Sequence, residues 1–584
     1  MILVLKQGKY VVAKLIVIPL ARAGFFFAPS LCFSSLFAHF CTMQIADLFK
    51  ANRERKFFAH YNENPKAYND DLNAAGLAAF QAKLNTNYAL PGNTQSDFYG
   101  EEISPYLQTG LGIHYPKTSV DALINQAQDG FNQWRKLNPQ QRFDILFETL
   151  EAVSARFFEI AYATMHTTGQ SFLMSFQASG PHACDRALEV MVTGLEQLQY
   201  YPADVDWVKN MGKFDLTLHK NYKAIPKGIG LVIGCSTFPT WNTVPGVYAD
   251  LITGNSVIIK PHPKAVYPIA IFVEEMQGVF IKHNLNPNIV QLAIDSTTEP
   301  ITKKLAEHPE VKLIDYTGGN TFGDYVESLG KTCFTEKAGI NSVIVDSCQN
   351  FNAVAQNIAF SFSLYSGQMC TAPQNIYIPS TGVQTPDGII SYENAVEGIR
   401  MALKGLMENP KAAAPTLGAI QNDATINRIE DKIKQHQAQS IQLDVHVENT
   451  EFNTARLRVP SIITTDASDS STYMQECFGP LVFIVKTSGF DETLKIVKES
   501  ASKHGAITCL AYTTDKAKME KIEDEMNSVF TPVSFNFTGA AFVNQHAAFS
   551  DLHVSGGNPS GNATFTNAEY INKRYIWIGN RYML

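Results

Sequence analysis

Metal-ligating signatures are missing from this chain: no C-x-x-C pair and no H-E-x-x-H occurs, so a structural zinc or zincin-type site has no support. Cysteine is scarce, nine in 584 residues and widely scattered, which excludes a disulfide scaffold. Positive charge is not in excess either. Lysine and arginine number 47 against 55 acids, a net charge of −8, whereas nucleic-acid binding needs concentrated positive charge. Charged residues of both signs reach only 17%, while hydrophobic residues make up 45%, which argues against a disordered chain. The length exceeds what one core supports. These exclusions leave a large multidomain protein without nucleic-acid partners, expected in a reducing compartment, the cytoplasm.

Acidic residues are absent from residues 1–46, which carry four bases, Lys6, Lys9, Lys14 and Arg22. A secretory signal would need one continuous apolar centre, but Lys14, Pro19 and Arg22 interrupt it. A membrane span drawn from Ala23 to Phe40 would hold Pro29, three serines and His39. The reading adopted is that residues 1–42 are an upstream extension or targeting segment. Folding is expected to begin near Met43, with no membrane contact for the folded part.

From Asp121 to about Leu195 apolar residues recur at three- and four-residue spacing. Ile124, Ala127, Phe131 and Trp134 form one stripe; Phe143, Ile145, Leu146, Leu150, Val153 and Phe157 form another. The spacing predicts amphipathic helices. After Pro226 the pattern changes. Strands are expected at Gly230–Gly234, Ser256–Lys260, Ile289–Ala293 and Val311–Tyr316, with helices through Val247–Leu251 and over Tyr267–Phe280. A second series starts with a strand at Ser342–Asp346, a helix at Phe351–Ser366 and a strand at Asn375–Ile378. Such alternation implies βαβ crossovers and parallel sheets, hence an α/β fold of two lobes with a helical N-terminal part.

Three segments could carry chemistry. Gly228-x-Gly230-x-x-x-Gly234 misses the dinucleotide fingerprint's spacing and lies before and within a strand. Thr317-Gly-Gly-Asn-Thr-Phe-Gly323 follows a strand and opens a helix, where glycines let backbone N–H groups approach an anion; a plain tight turn would look the same. Cys370 follows Gly367-Gln-Met at a helix–strand junction, where a thiol can be exposed and activated, although most cysteines are small buried hydrophobes.

Together with further motifs these segments resemble the aldehyde dehydrogenase superfamily, from roughly Asp121 to Gly561. Glu336-Lys-Ala-Gly339 is similar to the family's general-base segment and Gly367-Gln-Met-Cys370 to its nucleophile segment, with Glu336 and Cys370 34 residues apart as the family has them. Gln475-Glu-Cys-Phe-Gly-Pro480 resembles the cofactor-positioning motif. Thr253-Gly-Asn255 through Lys260-Pro261 resembles the adenosine-ribose segment, and Ser555-Gly-Gly557 with Ser560-Gly561 the C-terminal glycine-rich stretch. Phe-Pro-Thr-Trp-Asn at 238–242, Lys-Pro-His-Pro at 260–263 and residues 365–374 look most like the phenylacetic acid degradation (PaaN) branch.

The resemblance implies two parallel-sheet α/β lobes, a Rossmann-like cofactor lobe and a catalytic lobe, plus an oligomerisation arm. The expected division is 43–203 as the helical N-terminal part of the cofactor lobe, 204–223 as an oligomerisation hairpin, 224–338 as the NAD(P)-binding lobe, 339–550 as the catalytic lobe and 551–584 as a C-terminal arm. It implies NAD(P)-dependent oxidation of an aldehyde to the acid through a thiohemiacetal and a thioester on Cys370, with Glu336 as base. Glu476, Phe478, Gly318, Gly319 and Gly323 are the cofactor residues implied. Two departures stand out. Thr237 occupies the family's asparagine position at the oxyanion. Pro263 replaces the glutamate that NAD-preferring members carry three residues after the lysine matched by Lys260, so NADP is favoured over NAD. The substrate implied is a semialdehyde of aromatic catabolism, with a CoA thioester as a further expectation, and the assembly a homodimer or homotetramer. Release of the acyl group by CoA, or a non-catalytic binding role, are the alternatives.

Overall fold

In the computed structural model, which describes residues 47–56, 58–93, 97–542 and 568–583, the N-terminal part includes the helices α1 (Val120–Trp134), α2 (Pro139–Ser154), α3 (Phe157–Thr168) and α4 (Ala183–Leu198). Everything below lies within the unit Phe49–Leu584. Ser119 caps α1, and Asn138 with Gln141 forms a reciprocal capping box on α2, satisfying N–H groups that a helix start leaves unpaired. Both predicted stripes are buried; Trp134 and Leu146 have no measurable exposure. The expectations for residues 1–42 and for Ser555–Gly561 lie outside the described residues.

A hairpin follows, β1 (Asp204–Asn210) and β2 (Asp215–Pro226), turning at Gly212, whose φ of +86° favours glycine. Strands β3 (Ile229–Ile233), β4 (Ser256–Lys260), β5 (Val290–Leu292), β6 (Val311–Gly318) and β7 (Thr332–Lys337) form a parallel sheet in the order β5-β4-β3-β6-β7. The crossovers include α5 (Pro239–Ile252), α6 (Tyr267–Lys282) and α7 (Asn320–Ser328). Strands β3 and β4 are buried throughout, which is why they read as continuous apolar runs. Strand order reverses at β3, and ligands of such sheets bind outside the carboxyl ends of the strands at that point.

The second sheet holds β8 (Asn341–Val345), β9 (Pro373–Pro379), β10 (Ser440–Ile441), β11 (Ser461–Asp466), β12 (Leu481–Thr487), β13 (Cys509–Tyr512) and β14 (Val533–Phe535). Their order is β10-β11-β12-β9-β8-β13-β14, parallel except for β10. Helix α8 (Phe351–Ser363) stops short of the expected Ser366, because Tyr365 and Ser366 adopt φ of +50° and +52° and leave the helical path. In the C-terminal tail Tyr570 and Ile571 are both buried in a short helix, Ala568–Asn572, and a strand follows, β15 (Tyr575–Met583). It pairs with β2 to complete a three-stranded antiparallel sheet.

Candidate active site

The nucleophile candidate is presented by a turn that backbone sterics disfavour. Tyr365, Ser366 and Gly367 are successive left-handed residues, and a Cβ on Gly367 would lie 2.4 Å from the Gly479 carbonyl oxygen. Buried polar anchors hold the turn. The Tyr365 hydroxyl donates to Thr168 O at 2.6 Å, and Gln368 Nε2 donates to Ala419 O at 3.1 Å. Asn341 Nδ2 donates to Cys370 O at 2.7 Å and to Ala372 O at 3.0 Å, while its Oδ1 accepts the N–H groups of Ile507 and Thr508. Cys370 is therefore fixed from β8, where Asn341 begins the strand.

Glu336 projects from β7 into the same space and is buried. Asn242, in the first turn of α5, donates from Nδ2 to Glu336 Oε2 at 3.0 Å. Oε1 has no hydrogen-bond partner among the described residues, although the Cys370 thiol faces the carboxylate. Burial pushes the Glu336 carboxyl up to about 7, with the contacts to Cys370 and Asn242 pulling the other way. Burial and the negative charge of Glu336 together push the Cys370 thiol well above its ordinary value, so the resting thiol holds its proton.

One cavity of about 220 Å³ gathers most of the candidates: Thr237, Gly318, Gly319, Glu336, Cys370, Glu476 and Phe478 all line it, with Asn242 and Cys235. The Thr237 loop is pinned by its backbone: Gln170 Nε2 donates to Thr237 O at 2.8 Å, and Gln421 Nε2 to Ser236 O at 2.6 Å. Glu476 accepts the Gly339 backbone N–H, and burial pushes its carboxyl up to about 7. Gln374 joins that loop to the nucleophile strand, accepting Cys477 N–H at 2.6 Å. Gly319 has open space where a Cβ would stand.

Three of the expected cofactor residues stand elsewhere. Gly323 is buried within α7, where a Cβ would meet Lys337 carbons at 2.6 Å; its smallness serves packing of helix on strand, not the cavity. Lys260 and Pro263 lie at the carboxyl end of β4, outside the cavity lining. Lys260 is buried, with Nζ 2.6 Å from Asp295 Oδ1, so its charge is already matched by a carboxylate that sequence did not bring near it. Asn242 and Gln374 were legible only as members of the quoted motifs; nothing in the sequence pointed to their partners, Glu336 and Cys477.

A parallel sheet with a switch point and a Cys–Glu pair at its carboxyl edge define an oxidoreductase of the aldehyde dehydrogenase fold. The aldehyde dehydrogenase family profile matches residues 101–574, and the chain belongs to that family. A crystal structure of an NAD-dependent aldehyde dehydrogenase from Burkholderia multivorans superposes with a TM-score of 0.88 at 39% identity, covering 93% of this chain and 98% of that one. The 1-pyrroline-5-carboxylate dehydrogenase of Bacillus subtilis is 23% identical over 80% of this chain and 89% of its own length. The corresponding Thermus enzyme with bound NAD shares the fold, with a TM-score of 0.72 at 17% identity over 91% of this chain and 99% of that one. Among the described residues no helix is long and apolar enough to cross a membrane.

Proposed function

We propose that the chain oxidises an aldehyde to a carboxylic acid with NAD or NADP, by covalent catalysis at Cys370. The observation that carries this reading is the buried Glu336 carboxylate set against the Cys370 thiol. Glu336 takes the thiol proton as Sγ attacks the carbonyl carbon, forming the C–S bond of a thiohemiacetal. The new oxyanion receives the Thr237 hydroxyl and the Cys370 backbone N–H. A bound NAD(P) would supply the acceptor for the hydride of this carbon, which would leave the acyl group on Cys370 as a thioester. Glu336 gives the first proton up to solvent and then takes one from water as the water oxygen bonds to the acyl carbon. The C–S bond breaks, the acid leaves, and the proton on Glu336 passes to the Cys370 thiolate to restore the thiol.

The chain suits the cofactor: Gly319 offers unobstructed backbone, and Gly318, Glu476 and Phe478 line the cavity beside it. Glu476 would hold the nicotinamide ribose and Phe478 would pack beside the ring. NADP is favoured because Pro263 sets no carboxylate against a 2′-phosphate, with Lys260 and Lys264 in the same segment. Asp295 neutralises Lys260 and leaves Lys264 as the remaining cation, so discrimination against NAD is expected to be small. This fits the NAD dependence of the Burkholderia relative. Asp295→Asn is expected to tighten binding of NADP relative to NAD, read as the ratio of their Kd values by quenching of protein fluorescence.

The PaaN branch rests on the motifs at 238–242, 260–263 and 365–374, and with it the aromatic catabolic setting. The cytoplasmic location and the homo-oligomeric state belong to the same reading. The test is NAD(P)H formation with a panel of aldehydes. Wild type is expected to turn over, Cys370→Ala to be inactive, and Glu336→Gln to lose at least about 100-fold in turnover. Acyl-CoA formed when CoA is added would favour thiolytic release, and no reduction with any aldehyde would defeat the enzymatic reading.

A further inference from the structure

A second cavity, of about 320 Å³, adjoins the nucleophile segment. Two residues tie it to the chemistry. Phe238 forms part of the wall of both cavities, and Met369, the residue before Cys370, lines the second. Leu173 and Met174 of the short helix Phe172–Gln177 supply another wall, and the rings of Phe360 and Phe542 meet there with centroids 4.2 Å apart. Among the described residues no Lys, Arg, Asp or Glu lines this space. Its one lining histidine, His182, has Nε2 2.6 Å from Glu63 Oε2, so a positive charge there would already be matched.

That composition discriminates by charge. A carboxylate or phosphate inside the cavity would lose its water with no unspent positive group among the described lining residues to replace it. An aromatic ring would bury apolar area and meet phenylalanine rings at contact distance. The volume corresponds to about ten water molecules, room for a ring with a short side chain.

We infer that this cavity receives the body of the aldehyde, and that the substrate class is an uncharged, apolar aldehyde of about phenylacetaldehyde size. Aldehydes with a carboxylate a few carbons from the carbonyl are excluded, and any charged group on a longer substrate, a CoA moiety included, stays outside. The inference rests on the reading of Cys370 as the nucleophile.

The full chain is assayed with hexanal and adipic semialdehyde, matched in length, and with phenylacetaldehyde. Hexanal and phenylacetaldehyde are expected to exceed adipic semialdehyde by about 100-fold in kcat/KM, the cost of an unmatched buried charge. Met174→Lys, which puts a cation into the wall, is expected to narrow that ratio at least tenfold. Equal or better use of adipic semialdehyde by the wild type would overturn the inference, whatever the variant does. Binding of the same three aldehydes to Cys370→Ala, by calorimetry, separates the two readings. Selective binding without turnover by the wild type would defeat the role of Cys370 and leave the cavity assignment standing. Binding without preference would defeat the cavity assignment alone.

Discussion

Glu336 is stored in an environment that favours its neutral form, and this has a signed consequence for stability. Its carboxyl is pushed up to about 7, whereas in the unfolded chain it ionises near 4.5. The folded state therefore binds the proton more tightly. The penalty is absent below the unfolded value, grows as pH rises, and is complete above the folded value, reaching about 3 kcal/mol. Glu336→Gln escapes it. The stability difference between variant and wild type, from urea unfolding, is expected to shift in the variant's favour by up to about 3 kcal/mol between about pH 5 and pH 9. A pH-independent difference would show that the carboxyl is not desolvated. The same titration governs activity, since the base must be ionised: kcat/KM is expected to rise with pH through about 7. Thr237→Val removes a hydroxyl that lines the cavity without touching the backbone hydrogen bond that Gln170 makes to the loop. It is expected to lower kcat by about 100-fold with the melting temperature kept; an unchanged rate would remove Thr237 from the oxyanion site. At this scale the resemblance picked out Cys370 and Glu336 because their spacing survives in one dimension. Asn242 and Asp295 stayed hidden, since what matters about them is a partner 94 residues away in one case and the lysine of a neighbouring strand in the other.

Elements of secondary structure place these residues, and two of them carry the stress of doing so. The Leu364–Gly367 turn bends the end of α8 so that Cys370 enters the cavity. Gly367→Ala would combine a φ of +63° with a Cβ 2.4 Å from the Gly479 carbonyl oxygen. Displacement of the turn would carry Cys370 with it, so the variant is expected to lose activity and about 2 kcal/mol or more of stability. The second element is the C-terminal tail. Fully buried Arg574 donates to Asp250 Oδ1 at 2.6 Å, and to Asp315 Oδ2 at 2.8 Å and Oδ1 at 2.7 Å, joining β15 to α5 and β6. Arg574→Leu leaves two buried carboxylates without their counter-ion and is expected to cost about 3–5 kcal/mol in urea unfolding. Strand β4 was legible to the residue, because strands buried on both faces read as unbroken apolar runs. The left-handed turn and the Tyr570 helix were not, because each is imposed by distant partners: Thr168 for Tyr365, Asp315 for Tyr570.

Across the whole molecule the burial of apolar surface is uneven. The two large sheets are covered by helices, whereas the β1–β2–β15 sheet exposes apolar side chains on both faces. Pairing across the sheet puts Val208, Ile225, Ile576, Ile578 and Tyr582 on one face and Val205, Trp207 and Met583 on the other, all exposed. Strand β1 is exposed along its whole length and, among the described residues, has β2 as its only sheet neighbour, which leaves one row of its backbone N–H and C=O groups without a strand partner there. An open apolar edge of this kind is a template for pairing with another chain, and monomers ordinarily protect it with charge, proline or a bulge. Here β1 holds only Asp204 and Asp206 on one face and Lys209 on the other against that tendency. The arrangement suits association of identical chains through this sheet, the expected dimer or tetramer. Ile576→Lys with Val208→Lys would place two positive charges on one apolar face, at residues outside the lining of the Cys370 cavity. The double variant is expected to sediment as a smaller species than the wild type at equal concentration, with the Cys370 chemistry kept in the dissociated chain. A wild type that sediments as a monomer at all concentrations, or a double variant of unchanged mass, would remove the sheet from the assembly interface.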